Sequence, residues 1–388
     1  MTRKLRHGWD GRFPRNEIVS LLDVSRRFNL AESTARELTF REVLDLIGPE
    51  ATLDISLGYG SSQGLPALRE RIARPRQILA DHVVTTHGTA LGLAMLALEL
   101  CIPGREAILA SPCFPPSRDS LRAGGGETKV LGLRFDDGYR LDLERLEALI
   151  SPRTALVSLA TPQNPSGVAL RDAEIDATLS LLDELAPDAF LFIDETYREA
   201  PYGDRCPSAS FAASHPRVIT GSSVSKAHGA PGLRVGWLTT TDDILLERLV
   251  MAKMNLVISG SPLNESIAAA LLVREAEVLG PRRAMLAEAI TLVEAWAERH
   301  TELIDWVKPD AGALCVMRLR PRVFDDEAVE RFWKLLPDED LQLAGGHWFG
   351  EARRVFRLGF GFLPIEDLPP ALDALGGVLR STLNGSGF

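Results

Sequence analysis

Ser222-Ser223-Val224-Ser225-Lys226-Ala227-His228-Gly229-Ala230-Pro231-Gly232-Leu233-Arg234-Val235-Gly236 says more about this chain than any other segment. It brings an amine, the hydroxyls of Ser223 and Ser225 and one guanidinium within reach of a common point. Lys226 stands just past an apolar run with strand character, residues 217–221, in a turn built from Ser, Gly and Pro where a hydrocarbon core would gain nothing from it. Lysine amines act as nucleophiles when they form Schiff bases with carbonyls. In isolation the same residues would read as a surface Lys and Arg flanking a loop, so their meaning depends on what surrounds them.

On either side, apolar segments of strand length alternate with segments of helical period, the pattern of a doubly wound α/β sheet. Strands are expected over residues 82–85, 106–110, 128–133, 155–160, 189–193, 217–221 and 235–239, and helices over 65–73, 90–101, 141–150 and 172–185. A long helical stretch over 266–299 then leads into 306–319 and a last α/β unit ending near residue 379. Neither repeats nor low-complexity linkers interrupt the pattern. The simplest division is a large central domain over 51–270 and a small domain made from both termini, with an N-terminal part over 1–50 and a C-terminal part over 271–388.

With 388 residues, 45% hydrophobic and 25% charged, the chain can bury a large core. A net charge of -10 argues against nucleic acid as the main partner, so an anionic ligand has to be met by local positive groups. Cys101, Cys113, Cys206 and Cys315 show neither CxxC spacing nor the density of a disulfide scaffold. They read as buried thiols rather than a metal site, and the cytoplasm is the expected compartment. Residues 1–15 are basic, but no apolar h-region follows and no apolar run approaches membrane length, so neither export nor insertion is expected.

Ligands of open α/β sheets gather at the carboxyl ends of the strands, so the residues after each expected strand belong together. Gly88, Thr89 and Ala90 open a helix, and their small size lets backbone N–H groups approach an anion. Phe114, in Ser111-Pro112-Cys113-Phe114-Pro115, offers a π-face. Asn164 sits in Thr161-Pro162-Gln163-Asn164-Pro165-Ser166-Gly167, where prolines on both sides restrict the backbone. Asp194 ends the apolar run Phe190-Leu191-Phe192-Ile193, where a carboxylate is costly unless paired, and Tyr197 follows three residues on. Each has an ordinary reading as a helix start, a core ring, a turn or a cap. Gly58, Gly60 and Gly64 miss GxGxxG spacing, which makes a nicotinamide enzyme a poor rival.

The string from Ser222 to Gly236 fits position by position the attachment site of class I/II aminotransferases, fold type I enzymes that hold pyridoxal phosphate (PLP) on a lysine. The resemblance spans roughly residues 53–362 and implies a large domain with a mainly parallel seven-stranded sheet plus a smaller α/β domain from both termini. It implies that Lys226 forms the internal aldimine and, once released by the substrate amine, moves the α-proton as base and acid. Asp194 would hold the pyridine nitrogen protonated, so that the ring accepts electrons and the quinonoid is stabilised. Asn164 and Tyr197 would share the phenolic oxygen and Phe114 would cover the ring. Gly88, Thr89, Ala90, Ser223, Ser225 and a forked contact from Arg234 would hold the phosphate. Tyr59 resembles the residue these homodimers lend to the neighbouring subunit's phosphate. Arg357, in Val355-Phe356-Arg357-Leu358-Gly359-Phe360, resembles the arginine that grips the substrate α-carboxylate, with Asn164 beside it. Arg353 and Arg354 read as solvated but leave the register open. The implied substrate is an amino acid, with a keto acid as acceptor where the reaction is a transamination.

Residues 28–44 depart from the ordinary pattern: they lack the glycine-proline approach of most transaminases. They look more like a side branch that includes capreomycidine-synthase-like cyclases and PLP-dependent arginine oxidases, in which this segment lies over the active site and an acidic residue can meet a guanidinium. Glu32 is the candidate for that contact, its alternative being a solvated helix glutamate. Thr34 stands where arginine oxidases tend to place a histidine, which weighs against oxidation. The sequence does not choose between the outcomes; transamination is expected first on its frequency in the family alone, and cyclisation or oxidation of an arginine-derived substrate second. A PLP-binding regulator is disfavoured because no basic DNA-binding segment is appended.

Overall fold

The computed structural model describes residues 12–14, 17–202, 206 and 209–384. After a short strand β1 (Phe28–Asn29), the expected apolar runs form β2 (Val83–Thr86), β3 (Glu106–Ser111), β4 (Glu127–Gly132), β5 (Thr154–Ala160), β6 (Phe190–Asp194), β7 (Val218–Ser223) and β8 (Gly236–Thr240). These seven make one sheet in the order β2-β8-β7-β6-β5-β3-β4, in which β8 runs antiparallel to both neighbours and every other pairing is parallel. Successive side chains alternate between the two faces. In β6, Phe192 enters the core with Leu96, Ile219 and Leu238, while Leu191 and Ile193 join Val157 and Val218 on the other side. Each of these buried side chains contributes roughly 1.5–3 kcal/mol, which explains why central strands read as continuous apolar runs.

Among the helices not legible in the sequence are two that pack on the large sheet. Pro115–Gly124 begins with two prolines, which look like breakers but occupy the first turn, where a missing N–H costs nothing. Asp243–Val257 is capped by the Asp242 side chain, which accepts from the Leu245 N–H. The stretch 266–299, expected as one long helix, is two: Pro262–Val273 and Glu275–Arg299, which part at Arg274.

The run 306–319 likewise divides into antiparallel strands β9 (Ile304–Val307) and β10 (Leu314–Leu319). Beyond the short β11 (Leu341–Gln342), β12 (Ala344–Gly345) and β13 (Val355–Gly359) complete a second sheet in the order β12-β13-β10-β9. The N-terminal segment joins this region, because β1 pairs in parallel with β11 in the register Phe28↔Leu341 and Asn29↔Gln342. Glu32 follows β1 in irregular backbone, not on a helix as its alternative reading supposed. Among the described residues, no helix is long and apolar enough to cross a membrane.

Candidate active site

A cavity of about 420 Å³ lies at the carboxyl ends of the large-sheet strands, and its wall includes Glu32, Thr89, Ala90, Phe114, Asn164, Asp194, Tyr197, Ser223, Ser225, Lys226, Arg234 and Arg357. Of the residues singled out from the sequence, only Gly88 and Tyr59 are not on this wall. Gly88 adjoins the wall residues Thr89 in sequence and Arg234 in space, and Tyr59 is 85% exposed.

One end of the cavity is built for an anion. Gly88 has φ +67, and a Cβ there would stand 2.2 Å from Arg234 Nη2, so only glycine lets the guanidinium lie across the start of the helix Gly88–Leu100. Arg234 is itself left-handed at φ 53, held by Nη1 donating to the Pro231 carbonyl at 3.0 Å and by its own carbonyl accepting from the Gly88 N–H at 3.1 Å. The first-turn N–H groups of a helix have no intrahelical partner and carry the positive dipole end. Ser223 and Ser225 bring hydroxyls to the same region, and the Ser225 N–H donates to Ser223 Oγ at 3.3 Å, turning the chain toward Lys226.

A half-buried acid stands at the end of β6. Asp194 Oδ1 accepts from the N–H of Thr196 at 3.0 Å and from its hydroxyl, yet the carboxylate forms no ion pair among the described residues. Burial pushes its pKa up, and the two Thr196 bonds only partly oppose that. A cationic partner placed in the cavity would relieve this cost.

The remaining polar groups of the wall form a connected line. Asn164 Nδ2 donates to the Tyr197 hydroxyl at 3.4 Å, and Asn164 Oδ1 accepts from Arg357 Nη1 at 2.9 Å. Arg357 Nη2 donates to the Ala31 carbonyl at 2.6 Å, and the guanidinium lies 4.8 Å from the Phe349 ring centroid. Its Nε is buried without a partner, leaving a donor for a bound carboxylate. Burial lowers the Arg357 pKa against the opposing influence of Tyr197 and Glu32. The register of this strand is settled by burial: Arg357 is 2% exposed, while Arg353 pairs with Glu330 and Arg354 with Asp326 at the surface.

The segment after β1 closes the cavity. Asn29 Oδ1 accepts from the N–H groups of Ala31 and Glu32 at 3.0 and 3.2 Å, and the Gly359 N–H donates to the Leu30 carbonyl at 2.7 Å. A Cβ at Gly359 would fall 1.6 Å from the Glu32 carbonyl oxygen, so this close approach requires glycine. The Glu32 carboxylate accepts only from the neighbouring Ser33 N–H, at 3.3 Å, and forms no ion pair among the described residues. Ser33 Oγ lies 2.9 Å from the Tyr197 hydroxyl and accepts from Lys226 Nζ at 3.3 Å. The Thr34 hydroxyl is buried without a partner on the same wall. Sequence reasoning missed Ser33 and Thr196. Thr196 had a local signal, since a threonine two residues after an aspartate suits side-chain capping, whereas Ser33 had none.

The profile of the aminotransferase class I and II family matches residues 28–375. This chain belongs to that family. As class I and II aminotransferases do, it works with PLP, and the residues of the cavity fit that group: the start of a helix with Arg234 across it could take an anion, the half-buried Asp194 could take a cation, and the Lys226 amine shares the same wall. Capreomycidine synthase of Streptomyces vinaceus is 30% identical over 363 residues, 92% of this chain and 91% of that protein. Arginine–pyruvate transaminase of Pseudomonas aeruginosa is 29% identical over 313 residues, 78% of this chain and 77% of that one. The solved structure of the PLP-dependent cyclase OrfR superposes with a TM-score of 0.81 at 28% identity, covering 91% of this chain and 93% of the other. Within the aminotransferase family, the likeness therefore includes the side branch suggested by residues 28–44.

Proposed function

We propose that this enzyme transaminates an amino acid whose α-carboxylate docks on Arg357 and whose guanidino side chain reaches Glu32, with a keto acid as acceptor. The observation that carries this reading is the placement of the Lys226 amine, the buried Arg357 and the Glu32 carboxylate on one cavity wall. Bound PLP supplies a carbonyl that couples to an amine and a ring that takes up the electron pair left at the substrate α-carbon. Lys226 serves first as the nucleophile that holds the cofactor, then as the base and acid that move the α-proton. Asp194 would hold the ring nitrogen protonated, Asn164 and Tyr197 would donate to the phenolic oxygen, and Phe114 would cover one face of the ring. Gly88, Thr89, Ala90, Ser223, Ser225 and Arg234 would hold the phosphate.

Tyr59 completes the phosphate site of a second copy in a homodimer. This is supported by the exposed apolar residues Leu53, Leu57, Met254 and Leu256, which a partner would cover. The large domain takes residues 51–270 and the small domain the flanking 1–50 and 271–388, a division supported by the pairing of β1 with β11. Free, buried thiols at Cys101, Cys113 and Cys315 suit the reducing cytoplasm. Within that compartment the enzyme serves amino acid metabolism or biosynthesis.

Cyclisation of an arginine-derived amino acid is the second reading, favoured by the likeness to capreomycidine synthase over 92% of the chain. The test is to mix the purified protein with individual amino acids, with and without a keto-acid acceptor, and to follow cofactor absorbance and products. Keto acid that accumulates only with acceptor supports transamination. Product without acceptor supports cyclisation, and oxygen consumption would mean oxidation. Indifference of the absorbance to every amino acid would sink both readings.

A further inference from the structure

Ser33 is 2% exposed, and its hydroxyl makes the one hydrogen bond to Lys226 Nζ found among the described residues, at 3.3 Å. The same oxygen lies 2.9 Å from the Tyr197 hydroxyl. A serine hydroxyl has one donor and two acceptor positions, so it can accept from the amine and still donate to the phenol. The residues around it are tied to the site by backbone. The Ala35 N–H donates to the carbonyl of Lys226 itself at 3.3 Å, and the Ala31 carbonyl accepts from Arg357 at 2.6 Å. The hydroxyl is thus held between two anchored neighbours and has little freedom to leave the amine.

A lysine side chain has many rotamers, and a nucleophile that must first be found among them reacts more slowly than one already in place. We propose that Ser33 is a positioning residue that holds the Lys226 amine against the Tyr197 phenol, ready for the carbonyl of the incoming cofactor. The chain of contacts Arg357–Asn164–Tyr197–Ser33–Lys226 then links the substrate carboxylate site to the amine.

The test uses apoprotein mixed with PLP, following non-covalent capture by absorbance and covalent attachment by borohydride quenching and peptide mass spectrometry. Ser33→Ala is expected to capture PLP at the wild-type rate, because the phosphate cup is untouched, but to attach it to Lys226 about tenfold more slowly, the fold-change of one lost hydrogen bond. Ser33→Thr, which keeps the hydroxyl, should restore most of that rate. Attachment of Ser33→Ala at the wild-type rate would overturn the proposal, as would equal slowing of capture and attachment, which marks general damage to the fold. Attachment of wild type at a lysine other than Lys226 would overturn both this proposal and the assignment on which it rests.

Discussion

Replacing Asp194 by Asn separates charge from shape, and the structure predicts opposite effects on the empty and loaded protein. The Asp194 pKa is raised by burial, against the two Thr196 hydrogen bonds. The folded chain therefore holds a proton on this group at pH values where the unfolded chain has already lost it. Its contribution to stability is present below the ordinary carboxylate range and is lost as the pH rises through the folded value. Asparagine is neutral throughout and still offers Thr196 an oxygen. Apo Asp194→Asn should thus melt at or above the wild-type temperature at neutral pH, an advantage that shrinks on acidification. With PLP present the charge would become useful, since in the proposed site it would pair with the ring nitrogen. Losing one strong electrostatic contact in a preorganised site costs about 3–4 kcal/mol, or about 10²- to 10³-fold in turnover. Calorimetric melting of the apo forms and steady-state turnover with the best amino acid measure the two effects. Turnover within about threefold of wild type would be less than 1 kcal/mol and would refute the pairing. A destabilised apo variant would refute the claim that the charge is uncompensated in the empty site.

Glu32→Gln should weaken arginine binding by roughly 1.5–3 kcal/mol, about 10- to 150-fold in Kd, and leave alanine binding nearly unchanged; equal weakening of both would reduce the segment to a structural lid. Gly88→Ala puts a Cβ 2.2 Å from Arg234 Nη2, so equilibrium dialysis should show a more than roughly tenfold loss of PLP affinity, and an unchanged Kd would remove Arg234 from the phosphate site. Lys253 is fully buried, donates to Thr85 Oγ1 at 2.9 Å and lies 3.9 Å from Glu265, and burial lowers its pKa to about 8. Between that value and the ordinary 10.5 the unfolded chain binds the extra proton, so stability should rise with pH across this window, by about 3 kcal/mol in all. Denaturation midpoints should show this rise in wild type and not in Lys253→Met; parallel pH curves for the two would contradict it.

The central parallel strands β3, β5 and β6 were legible because buried parallel strands are apolar on both faces, whereas the largely exposed edge strand β4 was found from its position in the alternation of strand and helix. The site residues that follow these strands were legible for a related reason: a polar side chain such as Asp194, placed at the end of an apolar run, has to be explained by a partner. The break between Pro262–Val273 and Glu275–Arg299 was hidden because Arg274 carries no breaker signal. Helix Pro115–Gly124 was hidden by the opposite error, since its prolines look like breakers out of context. Glu32 was singled out through resemblance alone. What fixes its place is tertiary, a β1–β11 pairing and a close approach to Gly359 more than three hundred residues away, and no local pattern encodes that. Ser33 escaped for the same reason, because its partners Tyr197 and Lys226 lie 164 and 193 residues along the chain.

The central claim is that Lys226 carries the cofactor. Borohydride reduction of the PLP-loaded protein followed by peptide mapping should place the pyridoxyl group on Lys226, and Lys226→Ala should still bind PLP without covalent attachment and without turnover. The competing lysines are engaged elsewhere: Lys253 is buried against Thr85, and Lys129 pairs with Glu106 at 2.7 Å. A pyridoxyl group found on Lys253 or Lys129, with Lys226 unmodified, would contradict the account.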